Sequence, residues 1–380
     1  MFKFDDEQKD IHNLINMLKS KICIFNNNNN SDISDFMDNA IKVLMDNYLF
    51  SCTIPEEYGG CLLSNKLAFT ILYEVSKLNP SLAQILMVHN FGFCKLIDLY
   101  GSEAQKEKYL AKVQSEGEIG IFAFHEASGS NLSDIKLSAK KSGSYYIING
   151  RKTMITYADK ADYAIIGAKV EGEENHYSYF VVDLKNTKEI SFSKNEKTLG
   201  MDGVRLGEIN FINCKIDLQN KIGEKKEFGE ISGDIVGYLR AGNAAIALGI
   251  ADSAFNEAVK YAKNRIIDGK SLIEEGICKS KIGEMYSKLK SIEVIVFNLY
   301  KLLDEEEGKD IFVNSSIVKY IVTESAAQIC NDSLQIHGGY GYIKGIPIEQ
   351  LYRDIRITTI NGGTSEILKL VIGSLVNEFM

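Results

Sequence analysis

The chain has 380 residues, 45% hydrophobic and 25% charged, with a formal net charge of -8. That length exceeds one compact domain and predicts two or three, with ample material for a buried core. The acidic balance excludes a nucleic-acid partner, because no basic stretch can neutralise a run of phosphates, and no apolar run approaches the roughly 20 residues of an inserted membrane helix.

The first residues, MFKFDDEQKDIHNLI, lack the charged-then-apolar pattern of a signal peptide, so a cytoplasmic location is expected. Seven cysteines (Cys23, Cys52, Cys61, Cys94, Cys214, Cys278 and Cys330) are scattered with no CxxC pair, which predicts free thiols. The five histidines fall in no ligand spacing, so no metal site is expected. Asn26 to Asn30 read as a solvated loop between two helices.

Residues 1–118 read as helical. Apolar residues recur at three- and four-residue steps from Leu67 to Tyr100, with a break at Asn79-Pro80. Ser102, three residues before Gln105, predicts a capped helix start. The pattern changes near Gly117. GSYYIINGRKTMITY, DYAIIGAKV, HYSYFVVDL and GEINFINCKI are short, rich in β-branched and aromatic residues, and bounded by turn signals, so residues 119–224 read as a β-domain. Asn149-Gly150 is a turn dipeptide. Helical periodicity returns over residues 225–380. Ile282, Met285, Leu289, Ile292, Val296 and Leu299 share one stripe, and Val318, Ile321, Val322 and Ile329 another, which predicts a bundle. A Rossmann-type fold is disfavoured, since no strand is followed by GxGxxG.

Five segments stand in order along the chain: IPEEYGG from Ile54, GSEAQKEKYL from Gly101, INGRKTMIT from Ile148, QIHGGYGY from Gln335, and LYRDIRITTI with GTSEI from Leu351 to Ile367. Together they resemble the acyl-CoA dehydrogenase family of FAD flavoproteins over nearly the whole chain. The resemblance implies a multi-domain α and β fold: an all-α N-terminal domain, a central β-barrel-like domain and a C-terminal four-helix bundle. It implies FAD as cofactor, an acyl-CoA or acyl-carrier-protein thioester as substrate, and a homodimer or homotetramer sharing the cofactor site.

By the same resemblance, Phe122, Phe124, His125 and Ser130, then Met154 and Thr156, line the flavin, with Thr156 a hydrogen-bond donor to its polar edge. HEASGSN is one residue shorter than the family's usual segment. Arg265 matches the arginine that neutralises the pyrophosphate held by a neighbouring chain, a task suited to a permanently charged planar fork. Gln335, Gly338 and Gly339 match the loop that receives the adenosine end, and Thr364 and Glu366 match a cofactor contact at the last helix start. Asp268 and Gly276 depart from the family's aromatic and glutamine. Ser130 and Gly363 match substrate contacts. Read without that frame, Arg265 is a surface ion-pair residue and the HGGYG glycines form a helix cap and turn. His89 and His337 read as packing residues, and Tyr340 and Tyr342 as core.

The family removes an α-proton from the thioester with a glutamate, commonly the residue before GTSE. Here that position is Gly362. A second family position lies one residue before a bundle arginine; Arg240 is present but Leu239 precedes it, and Gly237 stands where a polar group is usual. Both base positions are therefore empty. The backbone N–H of Gly362 remains to hold the thioester oxygen. Three readings follow: a thioester oxidoreductase in which substrate acidity, Tyr238 or Asp234 replaces the base; a flavin monooxygenase of the same fold; or a non-catalytic FAD-binding protein.

Overall fold

The computed structural model describes residues 3–24, 33–129, 135–172, 177–223, 227–305 and 311–379. The asparagine run lies outside them. Helices α1 (Asp6–Ile24), α2 (Ile33–Met45), α3 (Asn65–Leu78), α4 (Pro80–Met87), α5 (Lys95–Tyr100), α6 (Glu103–Gln105) and α7 (Ala111–Glu116) come first. Asn79 explains the break between α3 and α4. Preceding a proline, it is held extended at φ -158° and ψ 110°, and its side chain accepts the Leu82 N–H at 3.0 Å. Ser102 and Gln105 form the expected capping box.

Between α4 and α5 the chain widens into a π-helical stretch, Val88–Cys94. The Pro80–Tyr100 segment is long and apolar enough to pass for a membrane span by length and composition, yet 83% of its 18-residue apolar window is buried. It is a core helix of this fold. A Cβ on Gly92 would sit 2.7 Å from the Phe122 Cβ, so glycine lets this stretch touch the β-domain directly. His89 is buried there, takes the Gly120 N–H at 3.0 Å, and is lowered to about 4 by burial; it is a neutral packing residue.

The β-domain holds β1 (Gly120–Ala123), β2 (Ser138–Ser142), β3 (Tyr145–Ile155), β4 (Tyr163–Val170), β5 (Tyr177–Asp183), β6 (Ile190–Phe192), β7 (Gly207–Asp217) and β8 (Lys221–Ile222). They form one sheet in the order β6-β7-β3-β2-β4-β5-β8, with β1 parallel beside β4. The path does not close on itself among the described residues. Asn149-Gly150 is not the turn that its sequence suggested. It lies inside β3 at a bulge against β7, where Gly150 has φ +133° and packs against Leu137.

Helices α8 (Phe228–Asn264), α9 (Gly276–Glu305), α10 (Ile311–His337), α11 (Pro347–Ile355) and α12 (Ser365–Phe379) form the C-terminal bundle, with a hairpin of β9 (Ile266–Ile267) and β10 (Lys270–Ser271) after α8. Residues 241–251 of α8 are buried on every face, so this helix is the axis of the molecule. It packs on α3, α9, α10 and α11. The stripe on α9 is buried from Met285 to Leu299; on α10, Ile321 departs from its stripe and is exposed.

A two-residue clamp joins bundle to sheet. Asp354 accepts the Met201 N–H at 2.5 Å and the Gln350 amide at 2.7 Å, and Arg353 donates to Leu199 O at 2.8 Å. Burial raises Asp354 from 3.8 to about 6. Between those values the native state keeps a proton that the unfolded chain has lost, so stability falls as pH rises through that window. Asp354→Asn should remove this fall, which thermal unfolding between pH 4 and 7 would register. Parallel pH profiles for the two proteins would contradict the assignment.

Candidate functional site

The loop carrying Gly362 is built by what precedes and follows it. After α11 a tight turn, Arg356–Thr359, directs both the Ile360 and Asn361 N–H groups to Ile357 O. Gly362 and Gly363 then take φ +67° and +103°, a region that disfavours side chains. Thr364 caps α12 from the position before it, its Oγ1 accepting the Ile367 N–H at 3.4 Å. Glu366 is exposed on the first turn.

Both glycine carbonyls are held from behind by buried cations. Arg240 on α8 donates through Nε to Gly362 O at 2.9 Å and through Nη1 to Ser316 Oγ at 2.7 Å, with Phe312 4.5 Å from its guanidinium. Lys319, one turn after Ser316 on α10, donates to Gly363 O at 2.8 Å. Lys319 is wholly buried and Arg240 nearly so, and among the described residues neither has a carboxylate partner. Burial lowers Arg240 to about 10. Burial, then the neighbouring Arg240 charge, lower Lys319 to about 7. The Gly362 and Gly363 N–H groups have no partner among the described residues, and Gly362 is exposed. Two anchored carbonyls with two free N–H groups make a ready receptor for an oxygen that gains negative charge.

Leu239 packs beside Phe122 against Gly92, and so joins the loop's arginine to the β-domain. Phe122 and Phe124 stack with ring centres 5.4 Å apart. Below Phe124 a buried ion pair fixes the chain: Lys152 Nζ lies 2.7 Å from Glu126 Oε1 and 3.0 Å from Phe124 O. Burial lowers Lys152 to about 8, and the Glu126 contact opposes that shift. His125 is exposed, with Nδ1 3.1 Å from Thr153 Oγ1. A second irregularity in β3, between Lys152 and Ile155, puts Met154 at φ +54° and leaves it 59% exposed; Thr156 is half-buried. Ser130 lies outside the described residues.

The structure gives little support to the two substitute bases. Tyr238 is buried and pushed up to about 12, chiefly by burial. Asp234 accepts the Tyr100 hydroxyl and sits six residues, ~9 Å, before Arg240 along α8.

Arg265 follows α8 directly, ~37 Å of helix from Arg240. It is exposed and rises 5.7 Å from the Tyr340 ring, on a cavity of about 570 Å³ walled by Ile267, Leu272, Gly338 and Gly339. A Cβ on either glycine would meet nothing, so the floor is open to a ligand. Gln335 is exposed one turn before it. Tyr340 and Tyr342 are not core: they are 56% and 92% exposed, because the HGGYG segment is a surface turn. His337 is a packing residue, stacked on Tyr261 with Nδ1 2.8 Å from Ser333 O. Within one chain the Arg265 group and the Gly362 group are not brought together. Six cysteines are free, and no cluster able to hold a metal occurs among the described residues.

Sequence reasoning missed Lys319 and Ser316. The available signal was a polar line, Ser315, Ser316, Lys319 and Thr323, at helical spacing within an apolar helix; all four are fully buried.

Models of the acyl-CoA dehydrogenase N-terminal, middle and C-terminal domains match residues 25–117, 125–214 and 233–376. A 3-(aryl)acrylate reductase from Clostridium sporogenes is 36% identical over 344 residues, 90% of each chain. The CarC subunit of a caffeyl-CoA reductase-Etf complex from Acetobacterium woodii is 35% identical over 330 residues, 86% of each. The structure of butyryl-CoA dehydrogenase from Megasphaera elsdenii superposes with a TM-score of 0.90 at 26% identity, covering 99% of each chain.

Lys319→Met tests the loop anchor. From about 7 up to 10.5 the unfolded chain binds a proton that native Lys319 releases, so stability should rise with pH over that range. The variant should flatten that rise and speed amide exchange at Ile367 and Leu368. Unchanged pH slope and exchange would remove Lys319 from the loop's support.

Proposed function

Because the chain belongs to the acyl-CoA dehydrogenase family, an FAD-dependent family of oxidoreductases acting on CH-CH groups, we propose that it interconverts a saturated acyl thioester and its α,β-unsaturated partner without a carboxylate at the usual base position. The observation that carries this reading is the glycine loop. Its carbonyls are tied to Arg240 and Lys319, and its N–H groups have no partner among the described residues.

The residues present suit FAD. Arg265 supplies a fork-shaped cation without a carboxylate partner among the described residues, above a glycine floor and beside apolar walls. Phe122, Phe124, Met154 and Thr156 would lie along the flavin, and Gln335, Gly338 and Gly339 along the adenosine of a cofactor held mainly by a second copy. The ~37 Å between Arg265 and Arg240 favours that sharing, since one dinucleotide cannot span it within a chain. When bound, FAD supplies the hydride acceptor or donor.

The protein's own residues do the rest. The Gly362 and Gly363 N–H groups draw electron density from the thioester oxygen, which acidifies the α-carbon. The exposed space at Gly362 admits water to exchange the α-proton. Loss of a positioned base costs on the order of 10²–10⁴ in rate. That cost argues for an activated acyl group, on coenzyme A or on a carrier protein. The relatives named as reductases favour the direction toward the saturated thioester: there the α-carbon takes up a proton, which solvent can supply.

Anaerobic visible spectroscopy tests this. Acyl-CoA should bleach the oxidised flavin slowly, and enoyl-CoA should restore the colour of the reduced protein. In Gly362→Glu the new Cβ meets only Arg240 Cγ, at 3.7 Å, although φ +67° strains it by roughly 1–2 kcal/mol. That variant should speed butyryl-CoA oxidation at least about tenfold. A flavin that no thioester changes in either protein would point instead to oxygen chemistry or to a binding role.

A further inference from the structure

Beside the glycine loop lies a group of buried amides that the reaction above does not use. Asn361 immediately precedes Gly362. Its Nδ2 donates to Gln84 Oε1 at 3.2 Å, and its Oδ1 is buried with no partner among the described residues. Asn243 lies three residues after Arg240 on α8 and is 1% exposed. Its Nδ2 donates to Thr358 O at 2.9 Å and to Asn361 O at 3.4 Å, which fixes the amide's orientation. Its Oδ1 then faces away and is also unpartnered. Gln84, 7% exposed on α4, uses its oxygen for Asn361, and its Nε2 has no partner among the described residues.

A buried amide oxygen left unpaired is costly, on the order of 1–3 kcal/mol, so the Asn361 and Asn243 oxygens call for an explanation. Three residues from three separate segments (α4, α8 and the loop) converge here, next to the N–H groups assigned to the thioester. The cluster offers acceptors at Asn361 and Asn243 and a donor at Gln84. Flipping the Gln84 and Asn361 amides together would exchange that donor and the Asn361 acceptor but leave the same pairing. An aliphatic acyl chain would leave both buried oxygens unsatisfied.

We propose that Gln84, Asn243 and Asn361 form a specificity site for a neutral substituent that both donates and accepts hydrogen bonds, a hydroxyl above all, carried on the acyl group. The natural substrate is then a hydroxylated acyl thioester and not a plain fatty acyl one. This rests on the thioester reading given above. A polar site of this kind discriminates more sharply than an apolar pocket, because the wrong substrate strands its buried groups.

Calorimetric titration of the FAD-loaded, oxidised protein tests it, using enoyl thioesters that cannot reduce the flavin. The two matched pairs are crotonyl-CoA with 4-hydroxycrotonyl-CoA, and cinnamoyl-CoA with 4-hydroxycinnamoyl-CoA. In at least one pair the hydroxylated member should bind about tenfold tighter or more, the worth of one hydrogen bond. Gln84→Leu and Asn361→Leu should each bring that ratio to about one or invert it. Asn243 is left intact because it also anchors the loop. Equal affinities within both pairs, or a preference that survives both substitutions, would overturn the proposal and indicate that the amides hold buried water. If thioesters of neither kind bind, the thioester reading itself fails, a result separable from equal binding.

Discussion

Two buried cations that form no salt bridge among the described residues organise this protein's site. Arg240 and Lys319 sit side by side in the bundle, and each spends its hydrogen bonds on a backbone carbonyl of the same loop. Burying a charge costs several kcal/mol unless it is well compensated, and the downward shifts of both groups register that penalty. The compensation comes from carbonyl dipoles, Ser316 and the face of Phe312. The result is a loop whose polarity is set by its support: oxygens turned to the cations, N–H groups left for a ligand. A side chain at position 362 is not needed for that arrangement.

The larger architecture serves the same placement. Residues 241–251 of α8 are buried all round because the helix touches α3, α4, α10 and the loop at once. Arg240 leaves its first half and Arg265 follows its end, ~37 Å apart along one helix. The Gly92 contact brings the Val88–Cys94 stretch against Phe122 and Leu239. The Arg353–Asp354 clamp holds the sheet's Leu199–Met201 segment to the bundle. Gln84 reaches Asn361 from α4 because the Asn79-Pro80 break starts a new helix at that point.

Much of this was legible in the sequence, for identifiable reasons. Helix periodicity, the capping box at Ser102 and the proline break are local, and each appears where it was read. The glycine before GTSE is also read locally, and the structure shows it at φ +67°. What failed depended on distant partners. Asn149-Gly150 has turn chemistry, but pairing with β7 absorbs it as a bulge. Tyr340 and Tyr342 looked like core because aromatic residues usually are, yet their segment is a surface turn. Lys319 and Asn243 are single polar residues on long helices. Only the meeting of α8, α10 and the glycine loop in space gives them a role.

The central claim is that the glycine loop polarises a thioester carbonyl. Isotope-edited infrared difference spectroscopy of crotonyl-CoA, an enoyl thioester that cannot reduce the flavin, bound to the oxidised, FAD-loaded protein and labelled with carbon-13 at the thioester carbonyl, tests it most directly. The account predicts a carbonyl stretch displaced to lower frequency than in water, with most of the displacement lost in Lys319→Met. A bound thioester whose stretch matches the aqueous value, or one that is insensitive to Lys319, would contradict it.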